Sequence, residues 1–410
     1  MADGYEFTIT FKGSEALFHA GDKIQGYVTL KLTDMLAIKG IELVLYGYGK
    51  IFWKQQSAAK GDNSQTNYEA SETYLAEHLW LWGDSPSGFA VPEVLSAGTH
   101  DFPFSYELPS DLPCSFTSQH GRISYSASAI LWMPNNMKLK TTAPLLILKD
   151  LDLSMEPFVL DGIKDAKDVS WETACFTCRL MKCCAKTDRN GFVPGEVIRV
   201  WVQVDNLTST RVYVRGLSVE LKQILIYGTN PLNVCSASHK TIAVVTRHQE
   251  GRRQKVKRLH SFAWKSVFLR IPPLPPSRLD GCRFLNIKYE ITVKFNVHGK
   301  TMQLTLPVLI GTLPHRNTEI YKTGILAYEE GFHMPEGREE HEVKLCECEN
   351  GDVDEIHPGY RLLPRYRIYR HMRTTSNDTL IYSLESSPQP FRKHESWVEY
   401  EKCTNRESLV

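Results

Sequence analysis

The chain has 410 residues, of which 42% are hydrophobic and 23% charged, the balance of an ordinary globular protein of two or three domains. Its formal net charge is +1, which excludes a global pull toward nucleic acid and leaves any electrostatic partner to be read locally. The longest apolar runs, such as "APLLIL" at 143–148, are far too short to span a bilayer. The opening "MADGYEFTITF" lacks the basic-then-apolar pattern of a signal peptide, so an intracellular soluble protein is expected.

Strand signals dominate from the start. "GYEFTITF", "KIQGYVTLKL", "IKGIELVLYGYGKIFW" and "RISYSASAILW" are rich in β-branched and aromatic residues, with turn residues between them. "YLAEHLWLWGD", with Trp80 and Trp82, reads as strand or core packing more readily than as an exposed contact surface. A polar, Pro- and Gly-bearing stretch at 153–170 is the expected hinge. Beyond it, "VIRVWVQVDN" places Ile198, Val200, Val202 and Val204 on one face and Arg199, Gln203 and Asp205 on the other, the period of two of a half-buried strand.

The chain echoes itself. "FHAGDKIQ" from Phe18 and "FVPGEVIR" from Phe192 share Phe, two residues, Gly, an acid, one residue and Ile. Later in each half, "ISYSASAIL" from Ile123 and "IKYEITVKF" from Ile287 share Ile-x-Tyr followed by alternation. Two echoes in the same order indicate two copies of one β-sandwich. Gly21 and Gly195 suit turns that need positive φ, and the neighbouring Asp22 and Glu196 suit the pairing of turn amides. The expected fold class is all-β, two immunoglobulin-type sandwiches at 1–152 and 171–315, followed by a largely disordered tail at 316–410. The tail expectation rests on an acidic block at 329–355 and a basic, acid-free block at 361–373.

"IPPLPPSRLDG" at 271–281 is a connector or an exposed proline ligand. Proline fixes φ and lacks an N–H, so it fits between strands and not within a central one. The ten cysteines lack the secretory context of a disulfide framework. "CFTCRLMKCC" carries a CxxC step but no second spaced pair, so thiols are favoured over a zinc site. No GxSxG, HExxH, P-loop or GxGxxG motif stands in a fitting context. No catalytic residue, metal site or cofactor is assigned, and a binding protein is expected rather than an enzyme. "RHQEGRRQKVKR" at 247–258 is the strongest basic cluster. Arg252, Arg253, Lys255, Lys257 and Arg258 form either a solvated loop or a patch for anionic lipid headgroups or phosphorylated tails.

"AGDKIQGYVTLKL", "GTHDFPFSYELPSDLPCSF", "HGRISYSASAIL", the paired "CC", "PGEVIRVWVQVDNLTSTRV", "IPPLPPS" and "LTLPVLIGTLPH" occur in consistent order over about residues 5 to 315. In them the chain resembles the α-arrestins, the arrestin domain-containing proteins. The resemblance implies two arrestin-like sandwiches and makes the prolines an inter-strand connector. It also implies a non-enzymatic trafficking adaptor that links membrane receptors or transporters to HECT-type ubiquitin ligases through WW domains. Such a protein is cytoplasmic and peripheral at the plasma membrane and endosomes. The family's usual Pro-Pro-x-Tyr motif is missing. The relaxed form "LPRY" (Leu363, Pro364, Tyr366) and the weaker "HPGY" (Pro358, Tyr360) stand in its place. An extended segment with a fixed proline φ suits a WW groove, whereas the neighbouring "YRIYR" as a strand or docking segment would hide Tyr366. The alternative is a signalling scaffold without ubiquitin transfer, for which the ending "ESLV" offers Ser408 and Val410 to a PDZ domain.

Overall fold

The structure, a computed structural model, describes residues 4–13, 16–56, 65–83, 92–134, 137–171, 179–208, 210–228, 238–297, 299–331 and 364–371. Two β-sandwiches follow one another along the chain. In the first, a three-stranded sheet of Tyr5–Phe11, Lys23–Leu32 and Gly98–Glu107 faces a six-stranded sheet. The six-stranded sheet runs Leu17–His19, Lys138–Leu148, Gly121–Trp132, Gly40–Gln56 and Gln65–Gly83, with Phe116–Thr117 beside it. In the second, Gly191–Phe192, Lys300–Ile310, Leu285–Val297, Val212–Gly228 and Ser238–Glu250 form the corresponding sheet. Opposite it lie Lys164–Trp171, Arg179–Thr187, Val197–Asn206 and His260–Ala263. Strand Val197–Asn206 alternates in burial as its sequence requires, with Ile198, Val200, Val202 and Val204 inside.

The internal echo is a structural duplication. Phe18 pairs in parallel with Ile147, and Phe192 pairs in parallel with Ile310, so each sandwich joins the short strand before its Gly–acid turn to its closing strand. Gly21 and Gly195 take φ of +89° and +97°, the left-handed region where a Cβ is strained. The acid after each glycine pairs a turn amide. His19 donates its backbone N–H to Asp22 at 2.6 Å, and Val193 donates to Glu196 at 2.9 Å. In the later echo, Tyr125 donates its hydroxyl to the Pro113 carbonyl at 2.7 Å, and Tyr289 donates to the Pro275 carbonyl at 2.8 Å. Two residues beyond each proline, a serine hydroxyl (Ser115, Ser277) accepts the amide of Ile147 or Ile310 at 2.9 and 2.8 Å.

These bonds decide the role of the proline stretch. Pro275, Pro276 and Ser277 are buried, and Pro275 and Ser277 are bonded to the second sandwich, so the stretch is a connector and not an exposed ligand. Cys183 points into the core and Cys184, its neighbour in the strand, is half-buried. Burial pushes the Cys183 and Cys114 thiols up to about 12, which keeps them protonated. Cys175 and Cys178 lie outside the described residues. Among the described residues, no helix is long and apolar enough to cross a membrane.

Two boundaries differ from the sequence expectation. The hinge is irregular only in its first part, because Lys164–Trp171 is an edge strand of the second sandwich. The polar composition that suggested a linker is that of a strand whose Lys167 and Asp165 bond Gln303 O and Thr305 N of the facing sheet. Within 316–410, Glu319–Thr323 is a short helix, and Gly324–Glu330 and Arg365–His371 pair as a two-stranded sheet. Those parts of the expected disordered tail are ordered.

Removing either tyrosine hydroxyl leaves a buried proline carbonyl unpaired. Tyr125→Phe and Tyr289→Phe are each expected to cost about 1–3 kcal/mol. In urea unfolding each should lower the midpoint without changing the slope.

Candidate functional site

The junction between the sandwiches is built from parts that each sandwich had already fixed. The end of the first sandwich supplies Lys149, Asp150 and Leu151, and the second supplies Thr312. Leu151 donates its amide to Thr312 Oγ1 at 2.8 Å, and Thr312 donates that hydroxyl to Asp150 at 3.1 Å. Lys149 Nζ reaches the carbonyls of Asp111 and Asp280, both at 3.2 Å. Tyr227 of the second sandwich donates to Ser118 Oγ of the first at 2.9 Å. Glu72 pairs with Arg283 across the same seam.

Strand Arg365–His371 runs through this junction and touches both sandwiches. Tyr366 is 6% exposed and belongs to the main core cluster. Burial, with Cys114 of the first sandwich and Tyr289 of the second nearby, pushes its hydroxyl well above the ordinary tyrosine range. Its ring packs against Gly331, where no Cβ would fit, and Gly331 N–H donates to the Pro364 carbonyl at 2.9 Å. Tyr369 joins a second cluster with Leu153, Val159, Val193 and Ile320. Its hydroxyl donates to Thr312 O at 2.9 Å and its amide donates to Pro194 O at 3.0 Å. Burial raises the Tyr369 hydroxyl to about 12. Full burial of one such aromatic is worth roughly 1.5–3 kcal/mol, so the two tyrosines hold the strand by apolar contact.

Between the tyrosines, Arg367 faces the first sandwich with only 10% of its side chain exposed. Nη1 lies 2.9 Å from Asp150 Oδ1, an ion pair without hydrogen-bond geometry. Nη2 donates to His19 Nε2 at 3.1 Å, and Nε donates to the Tyr328 hydroxyl at 3.3 Å. Arg365 reaches Tyr328 O at 3.1 Å and Arg370 pairs with Glu329. Each arginine of the strand therefore has a partner.

The position of "LPRY" corrects the expectation of an exposed motif. Pro364 and Tyr366 are buried in and beside the strand, and Leu363 lies outside the described residues. Tyr366 that fills the junction is not available to a WW groove while the strand is docked. Pro358, Tyr360, Ser408 and Val410 also lie outside the described residues. Sequence reading missed His19, Asp150, Thr312, Arg367 and Tyr369 as members of one site. The available signal was "RYRI" at 365–368, where arginine alternates with tyrosine and isoleucine as in a half-buried strand; Tyr369 and Arg370 break that alternation.

The basic cluster sits elsewhere, on the second sandwich. Arg252, Arg253, Lys255, Lys257 and Arg258 are all exposed. Among the described residues no ion pair neutralises any of them. Arg253 stacks 3.8 Å over the Tyr213 ring, and Lys255 pairs in register with Tyr213. The fully buried Asn206 amide donates to Thr210 O at 2.8 Å and Lys257 O at 2.9 Å, which binds two loops together. Those loops present exposed Leu207 and Leu259, the latter at φ +54°, among the cations.

Two sandwiches in tandem, each with a Gly–acid turn after a short strand that pairs in parallel with the closing strand, define an arrestin-fold protein. Residues 7–154 match the family described as "Arrestin (or S-antigen), N-terminal domain", and residues 179–315 match "Arrestin (or S-antigen), C-terminal domain". The chain belongs to the arrestin family, among the α-arrestins. Arrestin domain-containing protein 4 of Mus musculus is 27% identical over 309 residues, covering 74% of this chain and 70% of that protein. Arrestin domain-containing protein 17 of Caenorhabditis elegans is 25% identical over 316 residues, covering 75% and 70%. Human thioredoxin-interacting protein is 23% identical over 309 residues, covering 75% and 74%.

The duplicated glycines offer a test of the docked strand. A Cβ at Gly195 would stand 1.9 Å from Tyr369 O, whereas one at Gly21 meets nothing closer than 3.7 Å. Both positions share the strain of positive φ, about 1–2 kcal/mol for a residue other than glycine. Gly21→Ala is expected to show that strain alone in a thermal melt. Gly195→Ala should show a larger loss together with proteolytic cleavage near residue 365, because the strand cannot dock over the new methyl.

Proposed function

We propose that the chain is a non-enzymatic α-arrestin adaptor that brings membrane receptors or transporters to HECT-type ubiquitin ligases, and that docking of strand Arg365–His371 controls access to its ligase motif. The observation that carries this reading is the burial of Pro364 and Tyr366 at the junction of the sandwiches. A WW ligand must lie extended with its tyrosine free, so "LPRY" is readable only after the strand leaves. "HPGY" at 357–360 is a second, weaker candidate upstream of it. Membrane cargo places the protein beside anionic lipid, and the exposed Arg252–Arg258 cluster with Leu207 and Leu259 suits such a surface. Each cation near an anionic leaflet contributes about 1 kcal/mol, and the leucines add apolar contact.

The ligase step is tested with the full-length chain and isolated WW domains of a HECT-type ligase. Arg367→Glu sets a carboxylate against Asp150 and frees the strand. It is expected to raise WW binding several-fold over wild type, and adding Pro364→Ala should cancel that gain. Tyr360→Ala in the same background measures the share of "HPGY". If Arg367→Glu binds no WW domain, the ligase-adaptor reading fails and a scaffold without ubiquitin transfer replaces it.

The surface reading has its own test. Replacing Arg252, Arg253, Lys255 and Lys257 with Glu is expected to abolish sedimentation with vesicles rich in phosphatidylserine at low salt. Wild type should lose binding as salt rises. Equal sedimentation of the two proteins would assign the cluster to plain solvation.

A further inference from the structure

We infer that His19 makes the junction a proton-sensitive fastener: protonation of its imidazole expels Arg367 and undocks strand Arg365–His371. The inference concerns docking alone and does not depend on the ligase reading. It starts from the ring nitrogen that Arg367 uses. Guanidinium N–H groups only donate, so His19 Nε2, 3.1 Å from Arg367 Nη2, must present a lone pair. The Tyr328 hydroxyl, 3.4 Å from the same nitrogen, is placed to donate to it as well. The ring proton then belongs on Nδ1, 3.6 Å from Asp150 Oδ2. A second proton on Nε2 would remove the acceptor from Arg367 and set two cations in contact.

Opposing charges must be weighed, because carboxylates favour the imidazolium. Asp150, at the end of strand Lys138–Leu148, and Asp22, in the turn after Leu17–His19, both act in that direction. Each carboxylate is already engaged. Asp22 accepts the His19 amide at 2.6 Å, and Asp150 Oδ1 accepts Thr312 and faces Arg367. Burial and the Arg367 charge act the other way. The balance holds the His19 pKa below its ordinary 6.5, with burial the largest cause, Asp150 next and opposing it, and Arg367 adding to the lowering. Tyr328, from strand Gly324–Glu330, completes the groups that face the ring.

The sign of the linkage follows. Well above 6.5 the ring is neutral whether or not the strand is docked, and docking keeps its full strength. As pH falls from 6.5 toward the lowered value of the docked state, only the undocked state gains the proton, so docking weakens. For an undocked ring that takes the ordinary imidazole value of about 6.5, the weakening at pH 5.5 reaches about tenfold.

The test uses the full-length chain. Hydrogen-exchange protection factors of the 366–370 amides, corrected for intrinsic rates, are measured from pH 7.5 to 5.5. Protection is expected to fall as much as about tenfold in wild type, while amides of strand Leu285–Val297 hold theirs. His19→Gln keeps a carbonyl to accept from Arg367 and should flatten the response. A second measurement follows the reciprocal coupling: NMR titration of His19 should show a higher pKa in Arg367→Met than in wild type. The inference is overturned by constant protection in wild type, by an equal fall in His19→Gln, or by an unchanged His19 pKa in Arg367→Met.

Discussion

The burial of two tyrosine hydroxyls against two proline carbonyls is the constraint from which the junction follows. A buried hydroxyl without a partner is costly, so Tyr125 and Tyr289 each pin a loop, at Pro113 and Pro275. The first loop carries Cys114 and Ser115, and the second carries Ser277 and Arg278. Both loops are then tied to the closing strand of their own sandwich through the serine hydroxyls. The two sandwiches therefore meet along segments that are each pinned within their own sandwich. Tyr366 fits beside Cys114 and Tyr289, one from each half of that duplicated device.

A strand lodged there answers two demands with different physics. Tyr366 and Tyr369 satisfy the apolar demand and are insensitive to salt or acid within the neutral range. Arg367 satisfies the polar demand, and its environment is finely balanced. Asp150 is about a third exposed while the arginine is nearly buried, so the guanidinium depends on the neutral form of His19 and on Tyr328 for the donors that Asp150 leaves unanswered. Apolar anchoring gives the strand its place, and the polar network gives it a means of release.

The duplication also shows where two equivalent sites diverge. Gly21 and Gly195 occupy the same turn with the same backbone sign. Only Gly195 lies under another backbone, that of Tyr369. A glycine required by a turn in one sandwich has in the other acquired the further role of letting a strand approach closely.

Sequence alone determined the strongly alternating strands, the two-fold echo and the role of each Gly–acid pair, because these depend on residues near one another and on a period of two. "VIRVWVQVDN" is legible as a half-buried strand without any partner. It also determined that the prolines at 272–276 belong between strands, since an imino acid lacks the donor a ladder needs. Only the tertiary structure decided that Lys164–Trp171 is a strand, because its polar side chains find their partners in Lys300–Ile310 of the facing sheet while its backbone pairs with Arg179–Thr187. The same holds for "LPRY". Its local chemistry suits an exposed extended ligand, but Tyr366 is buried beside Cys114, Tyr289 and Gly331, and the neighbouring Arg367 and Tyr369 bond His19, Asp150, Pro194 and Thr312, all far away in sequence. Polar, arginine-rich composition predicts exposure when each charge is counted alone. The partners that neutralise those charges are brought together only by the fold.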